Sequence, residues 1–468
     1  MSHSGLIQSL TAIVGNDAVL TGEPAVPFCT DWRGRYSGDA LAVVFPASTG
    51  QVAEVVKLCA ASRIAIVPQG GNTSLCGGSV PLSDGAQVVV NLSRMNRVRD
   101  IDPANYSMTV EAGCKLEDVR NAAENRNRFF PLGLTATQKV CEIGGNLSTN
   151  AGGINVLRYG NTRDLVLGME VVLPDGRIWN GLRSLRKDNS GYDLKHLFMG
   201  AEGTLGIITA AVLKLFPRPQ AEATACLAVR DPAVAVALLA HLRASCGDRI
   251  SAFEIISRSS LELVCKHMTD TSEPFSGQHE WIVITQLADV LSTPLDASLR
   301  DALGSFGAGI AEFDVSSDKN HAERWWKLRR NISEAQKREG ISIKHDVSVP
   351  VSLVAEFIDR ADAALRKAFP GIRIVAFGHM GDGNIHYNIS MPDARQNVTF
   401  IEQHEATVNG LVYAVVRELN GSISAEHGLG QLKRYVIREY KDPLELELMG
   451  AIKQALDPHG LMNPGKVV

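Results

Sequence analysis

Two histidines, His379 and His386, lie on either side of a glycine-rich turn in the segment GHMGDGNIHYNIS, residues 378–390. The runs RIVAFGHM and NIHYNISM predict two strands, and the GDG between them favours a tight hairpin turn. Near such a turn, imidazoles on facing strands can converge on one metal ion. A pair of hydrogen-bonded core histidines would give the same pattern, so the residues alone leave both interpretations open.

A carboxylate that could complete a metal site lies in SISAEHGLG, residues 422–430, where Glu426 precedes His427. Two neutral imidazoles and one carboxylate suit Zn²⁺ with an open coordination position, as in catalytic rather than structural sites. Adjacent residues of an extended segment point in opposite directions, so Glu426 can bind metal while His427 faces a substrate hydroxyl. The metal would then lower the pKa of that hydroxyl, and His427 would remove its proton.

Two neighbouring segments encode a possible anion-binding surface. In RWWKLRRNISEAQKREG, residues 324–340, apolar residues recur at helical spacing, and Arg329 and Ser333 lie one turn apart at the edge of the apolar stripe. In ISIKHDVSVP, alternating apolar and polar residues predict a strand with Lys344 on its polar face. Such charges belong more often to a solvated basic helix, so the spacing alone does not establish a binding site.

Three glycine-rich segments could bind a phosphate-bearing cofactor: VPQGGNTSLCGG at 67–78, IGGNLSTNAGG at 143–153 and GAEGTLGIIT at 200–209. Glycine permits positive φ, so successive backbone N–H groups can converge on an anion. A large, flat cofactor needs such close backbone approach at several places. The GxGxxG dinucleotide fingerprint is absent. The C-terminal GLMNPGKV imitates a P-loop but lacks its Ser/Thr and a following helix, which argues against nucleotide hydrolysis.

Length and composition restrict the class of protein. A chain of 468 residues predicts two or three domains, and a net charge of −4 gives no electrostatic basis for nucleic-acid binding. No apolar run approaches the roughly 20 residues that span a bilayer, and the N-terminus lacks the features of a secretory signal. We expect a cytoplasmic protein, or a mitochondrial-matrix protein if a transit peptide was removed, with its eight scattered cysteines as free thiols.

The order of predicted elements divides the chain. DALAVVFP, RIAIVPQ and AQVVVNL predict strands, and TGQVAEVVKLCAAS predicts a helix. The prolines of FPRPQ mark a domain boundary, after which EATACLAV, DPAVAVALLAHLRA and ISAFEIIS predict a strand, a helix and a strand of an antiparallel or mixed sheet. We expect a helical lead-in at 1–35, a cofactor-binding domain at 36–216 and a substrate domain at 217–468.

Five segments together resemble the FAD-linked oxidase family with the vanillyl-alcohol-oxidase type of flavin domain: PQGGNTSLCGGSVP, IGGNLSTNAGG, RYGNTRDLVLGMEVVLPDG, RKDNSGYDLKHLFMGAEGTLGIIT and the terminal NPGK. Within that family, the chain resembles the D-2-hydroxyacid dehydrogenases, most closely those acting on D-2-hydroxyglutarate. The resemblance implies an α+β fold, in which a two-part FAD-binding domain is followed by a ferredoxin-like substrate domain with a helical cap. It also implies that the C-terminal tail returns to the FAD.

The resemblance also implies functional residues. The expected FAD-binding residues are Pro68, Gln69, Gly70, Gly71, Asn72, Thr73, Ser74, Gly144, Gly145, Asn146, Thr149, Asn150, Gly152, Gly153, Glu202, Gly203, Gly206, Ile207 and Asn463. The expected metal ligands are His379, His386 and Glu426, and the expected substrate-binding residues are Arg329, Ser333, Lys344, Asn388 and His427, the last being the catalytic base. Because the 67–78 loop has no histidine to carry a flavin, we expect FAD to be bound non-covalently.

The implied reaction is oxidation of D-2-hydroxyglutarate to 2-oxoglutarate by hydride transfer to flavin N5. Alternatives on the same scaffold are a D-lactate, glycolate or D-malate dehydrogenase. More distant alternatives are a flavin-free zinc hydrolase and a flavin carrier without catalysis. The family suggests an electron-transfer flavoprotein or a quinone as electron acceptor. Mn²⁺ or Co²⁺ could replace Zn²⁺ at such ligands, and a homodimer is one possible assembly.

Overall fold

The computed structural model of this protein describes residues 2–134, 137–307 and 309–468, so residue 1 of the expected lead-in lies outside the described residues. The helices are α1 (His3–Val14), α2 (Val26–Cys29), α3 (Thr49–Ser62), α4 (Leu116–Glu124), α5 (Ile143–Ser148), α6 (Val156–Tyr159), α7 (Lys195–Phe198), α8 (Pro232–Cys246), α9 (Arg258–His267), α10 (Asp296–Ser305), α11 (Lys319–Glu339), α12 (Val354–Ala368), α13 (Asn397–Glu418), α14 (Ile437–Tyr440) and α15 (Pro443–Leu456). None of these helices combines the length and apolar character needed to cross a bilayer.

The strands alternate with these helices, which confirms the predicted α+β class. They are β1 (Val19–Leu20), β2 (Ala40–Val44), β3 (Ala65–Gln69), β4 (Gln87–Asn91), β5 (Val98–Asp102), β6 (Ser107–Glu111), β7 (Arg128–Phe129), β8 (Val166–Val172), β9 (Ile178–Gly181), β10 (Ile207–Lys214), β11 (Phe216–Pro217), β12 (Ala221–Val229), β13 (Ile250–Ser257), β14 (Trp281–Asp289), β15 (Ile310–Ser316), β16 (Ile343–Ser348), β17 (Arg373–His379) and β18 (Asn384–Ser390).

The chain forms two compact units. The first contains Met1–Gly152, Gly160–Arg218 and Glu426–Val468, and the second contains Gly153–Tyr159 and Pro219–Ala425. The first unit therefore consists of three separate stretches of sequence.

The first unit has two principal sheets. One has the order β1-β2-β4-β3, in which β2, β4 and β3 are parallel. The other has the order β5-β6-β10-β8-β9 and is antiparallel. Helices α1 and α3 bury Leu10 and Val56 against Val44 and Val88 of the parallel sheet. The segment after β3 thus begins at the carboxyl end of a parallel strand, where open sheets of this kind bind ligands.

The second unit has one antiparallel sheet of seven strands, in the order β15-β12-β14-β13-β17-β18-β16. The apolar stripe predicted for α11 is present, and Trp325 and Ile332 are buried in a core that includes Ile284 and Phe377 of the sheet. Of the two arrangements predicted for this part of the chain, an antiparallel or a mixed sheet covered by helices, the structure has the antiparallel one.

The turn between β17 and β18 requires glycine at one position. Gly383 has φ +85°, and a Cβ there would lie 2.1 Å from the carbonyl oxygen of Val349. Gly410 lies inside α13 and has open space around the corresponding position.

We predict that Gly383→Ala lowers the free energy of unfolding by roughly 1–3 kcal/mol, because it combines left-handed strain with a clash against backbone. The matched Gly410→Ala should instead raise it by up to about 1 kcal/mol, because alanine favours helix over glycine. Urea unfolding followed by circular dichroism measures both. Equal effects of the two substitutions would show that the turn does not depend on glycine.

Candidate active site

A buried glutamate joins distant segments of the first unit. The backbone N–H groups of Leu429 and Gly430 donate to the two oxygens of Glu202 at 2.7 and 2.9 Å. Asn463 donates through Nδ2 to the carbonyl oxygen of Glu202 at 2.7 Å. Burial raises the pKa of Glu202, although the two backbone hydrogen bonds act in the opposite direction. Glu202 and Asn463, both predicted to bind FAD, thus attach the C-terminal segment to the 200–209 segment.

Side chains of the 67–78 loop bond to the loop's own backbone, to Ser79 directly after it, and to the carbonyl oxygens of Phe28 and Thr30. Gln69 donates through Nε2 to the carbonyl oxygen of Ser79 at 2.7 Å, and Asn72 Oδ1 lies 2.8 Å from the Ser79 hydroxyl. The hydroxyl of Ser74 accepts from the N–H of Gly78 at 3.3 Å. Asn72 has φ +51°. These side chains shape the loop, which leaves its backbone as the part suited to bind an anion.

The remaining predicted cofactor residues are distributed as follows. Pro68 and Ile207 lie in β3 and β10, Gly144, Gly145 and Asn146 in α5, and Thr149, Asn150 and Gly152 directly after α5. Gly70, Gly71 and Thr73 lie in the first loop, and Gly203 and Gly206 precede β10. Gly153 belongs to the second unit.

Two glycines allow close approach within the first unit. A Cβ at Gly71 would lie 2.0 Å from the carbonyl oxygen of Val140, and one at Gly152 would lie 2.7 Å from Oε1 of Glu426. Glu426 therefore packs against the end of the 143–153 cluster.

Several buried polar atoms of the first unit have no hydrogen-bond partner among the described residues. They are Oε2 of Glu142, Nδ2 of Asn146, Oδ1 of Asn463 and Nζ of Lys466. Burial raises the pKa of Glu142 to about 8 and lowers the pKa of Lys466 to about 8. Such atoms need polar partners, and FAD offers donors and acceptors in its diphosphate, ribityl and ring groups. The residues present therefore fit this cofactor.

Glu142 gives a testable pH dependence. Its ordinary pKa is 4.5 and rises to about 8 in the folded protein, so between these values the folded state binds more protons than the unfolded state. The free energy of unfolding must then fall as pH rises through this window, by at most about 1.4 kcal/mol per pH unit.

We predict that Glu142→Gln removes part of this dependence, so that the variant loses less thermal stability than the native protein between pH 5 and pH 8.5. Melting temperatures of the flavin-free proteins at each pH measure this difference. Glu54→Gln is the control, because the Glu54 side chain is 58% exposed. Parallel pH curves for the native protein and Glu142→Gln would contradict the assignment.

In the second unit, one buried carboxylate binds two predicted site residues. Glu254 lies in β13, and its Oε1 accepts from Nδ1 of His379 at 2.7 Å. Its Oε2 accepts from Nε of Arg329 at 2.6 Å. Burial alone would raise the pKa of Glu254, but the charges and hydrogen bonds of His379 and Arg329 lower it to about 2. Arg329 is thus already paired with Glu254 within the protein. The helical spacing of Arg329 did not predict this partner.

Glu254 was not among the predicted site residues, although its position in ISAFEIIS is unusual for a charged residue. All eight residues of β13 are buried, and Glu254 is the charged residue among them. A charge inside such a strand is costly unless it is paired. A lone acid in a fully buried strand therefore indicates a partner elsewhere in the fold.

The hairpin places both predicted histidine ligands together, as the GDG turn predicts. His379 ends β17 and His386 lies in β18, with ring centroids 5.7 Å apart. Their side chains are 13% and 15% exposed. His386 is also opposite Asp346 in the sheet, with Nδ1 3.7 Å from a carboxylate oxygen of that residue. Each imidazole thus has an acidic neighbour that can orient it.

The other predicted substrate residues are arranged around β18. Lys344 lies directly across the sheet from Asn388. Asn388 donates through Nδ2 to Oε1 of Gln336 in α11 at 3.0 Å, and both side chains line a small cavity. Ser333, one turn after Arg329 in α11, is exposed. The helix and strand therefore place two cations at the same face of the sheet, but Asn388 bonds to a glutamine that the sequence did not indicate.

Glu426 and His427 belong to the first unit and follow the last residue of the second. The preceding residue, Ala425, donates its N–H to the carbonyl oxygen of Asp346 at 3.1 Å. Glu426 is therefore the residue that directly follows, in sequence, one that is hydrogen-bonded to β16.

Two family descriptions match the sequence. The "FAD binding domain" matches residues 40–181, and "FAD linked oxidases, C-terminal domain" matches residues 218–467. The second match covers more than half of the chain. The protein therefore belongs to the FAD-linked oxidases, which confirms the resemblance found in its motifs.

Curated relatives indicate which kind of FAD-linked oxidase the chain is similar to. The chain is 36% identical to the probable mitochondrial D-2-hydroxyglutarate dehydrogenase of Oryza sativa subsp. japonica, over 100% of the chain and 82% of the relative. It is 37% identical to the D-2-hydroxyglutarate dehydrogenase of Xanthomonas citri pv. viticola, over 93% of the chain and 91% of the relative. This protein is an FAD-dependent hydroxyacid dehydrogenase.

Solved structures confirm the two-part FAD-binding fold. The chain is similar to p-cresol methylhydroxylase with a TM-score of 0.79 and 20% identity, over 99% of the chain and 96% of that structure. It is similar to an alkyldihydroxyacetonephosphate synthase with a TM-score of 0.72 and 18% identity, over 99% of the chain and 85% of that structure. At these identities, the likeness concerns the fold.

Proposed function

We propose that the protein oxidises D-2-hydroxyglutarate to 2-oxoglutarate, with FAD bound non-covalently. The observation that carries the proposal is the face of the second-unit sheet on which His379 and His386 lie close together, with Arg329 bound beside His379 through Glu254. Basic and metal-binding side chains at one face suit a substrate with two carboxylates. The names of the rice and Xanthomonas relatives support the same substrate.

The donor set fits a metal ion of the zinc type. His379 and His386 offer imidazole nitrogens, and Glu426 follows a residue bonded to the strand opposite His386. Zn²⁺, Mn²⁺ or Co²⁺ held by these three residues would polarise the substrate oxygens, and bound FAD would accept the hydride from C2.

The protein residues then have separate tasks. His427 takes the proton of the C2 hydroxyl as general base, a role typically worth about 10²–10⁴-fold in rate. Arg329, Ser333 and Lys344 bind the far carboxylate, for which the planar fork of arginine is well suited. Asn388 donates a hydrogen bond to the substrate.

Anaerobic reduction of the flavin tests this proposal. We expect D-2-hydroxyglutarate to bleach the flavin absorbance and its L-enantiomer to leave it unchanged. Dialysis against EDTA should slow bleaching, and added Zn²⁺ or Mn²⁺ should restore it. Bleaching that EDTA does not affect would contradict the proposed role of the metal ion. A preference for D-lactate, glycolate or D-malate would assign one of those substrates instead.

Lys344→Ala tests whether the substrate is a dicarboxylate. Loss of a hydrogen bond to a charged group costs about 1.5–3 kcal/mol, so KM for D-2-hydroxyglutarate should rise roughly tenfold to a hundredfold. Oxidation of D-lactate, which has no far carboxylate, should change little. The control is Lys337→Ala, an exposed lysine of α11. Equal losses on both substrates in Lys344→Ala would contradict the dicarboxylate assignment.

For electron transfer, we propose an electron-transfer flavoprotein or a quinone as acceptor. Both the cytoplasm and the mitochondrial matrix are proposed as locations, and the rice relative is named mitochondrial. A homodimer remains our proposal for the assembly.

A further inference from the structure

We infer that Glu254 is a positioning residue that orients a metal-binding imidazole and a substrate-binding guanidinium at the same time. The inference rests on the proposed function, because it takes His379 as a metal ligand and Arg329 as a carboxylate-binding residue. It adds a residue that the motifs of the sequence did not indicate.

The contacts of Glu254 are divided between two partners. Its side chain is 1% exposed, one oxygen lies 2.7 Å from His379 Nδ1, and the other lies 2.6 Å from Arg329 Nε. The register of β13 against β17 pairs Ile255 with Gly378. Glu254 and His379 are therefore the next residues along these paired strands, and backbone pairing holds the carboxylate beside the imidazole.

This contact determines which nitrogen of His379 carries a proton. An ionised carboxylate can only accept a hydrogen bond, so Nδ1 must donate. In the neutral ring, Nε2 then has the lone pair, which is the state that binds a metal ion. Carboxylates that accept from the second nitrogen of a metal-binding histidine fix its tautomer and ring orientation in this way.

The second carboxylate oxygen of Glu254 orients the guanidinium of Arg329. With Nε bonded to Glu254, Cζ of Arg329 lies 5.0 Å from the centroid of the Phe377 ring, and Nη2 lies 3.4 Å from His379 Nε2. Nη2 therefore points toward His379. A carboxylate placed near the metal ligands would meet donors that are already oriented.

A buried ion pair can also serve stability alone, and the same unit contains a matched example. Glu339, near the end of α11, accepts from His267 at 2.5 Å and from Arg373 at 2.6 Å. Its side chain is 9% exposed, and it also joins a histidine and an arginine, with Lys266 as a third partner at 2.6 Å, but none of these is a predicted metal ligand. Its substitution controls for the loss of a charge network.

The experiment compares Glu254→Gln with Glu339→Gln in the full-length flavoprotein. His379 and Arg329 bond to different oxygens of Glu254, and glutamine replaces one of these acceptors by an NH₂ donor, so it cannot keep both contacts. An NH₂ group beside Nδ1 favours the His379 tautomer that carries hydrogen on Nε2. We expect Glu254→Gln to weaken Zn²⁺ and Mn²⁺ binding by about 10–100-fold, measured by chelator competition without substrate. It should also raise KM for D-2-hydroxyglutarate. Glu339→Gln should lower the melting temperature and leave metal affinity unchanged.

The possible outcomes distinguish the claim that the protein binds a metal ion from the claim that Glu254 positions His379 and Arg329. If the native protein binds neither metal ion, the metal in the proposed function is wrong. If it binds metal and Glu254→Gln binds equally well with unchanged KM, Glu254 has only a structural role and the inference is wrong. Should Glu254→Gln not fold, Glu254→Asp keeps the charge but moves it back by one methylene. Native metal affinity in that folded variant would also overturn the inference.

Discussion

The backbone register of β13, β17, β18 and β16 is the constraint on which the second unit depends. Because side chains alternate across a sheet, a shift of one residue would move every side chain of a strand to the other face. The observed pairing places Phe377 opposite His386, and Asp346 opposite His386 on the other side. The antiparallel ladder thus converts residues far apart in sequence into neighbours on one face.

The first unit depends on a different interaction, in which a side chain binds backbone groups of a segment that is distant in sequence. Glu202 accepts from two successive backbone N–H groups of the C-terminal segment, and its own carbonyl accepts from Asn463. A carboxylate that binds two adjacent amides favours one geometry of the segment. The glycine-rich stretches are therefore held by specific hydrogen bonds, although glycines themselves contribute no side-chain contacts.

Much of this arrangement could be predicted from local sequence. The helix predicted from TGQVAEVVKLCAAS has the same bounds as α3, and the hairpin around GDG is formed by β17 and β18. Local period and turn chemistry decide such elements. The long-range partners could not be predicted in this way. Glu254 meets Arg329 across 75 residues of sequence, and Asn388 meets Gln336 across 52, pairings that depend on how α11 lies on the sheet.

The interrupted course of the first unit has a consequence for biosynthesis. Ile66 of β3, the last strand in its sheet, forms a parallel bridge with Met462, and its N–H donates to the carbonyl oxygen of Leu461 at 2.8 Å. Until the ribosome has released those late residues, β3 keeps an unpaired edge of the kind that promotes aggregation. Ile66 is translated long before Leu461 and Met462, so the nascent chain exposes that edge throughout the synthesis of the second unit.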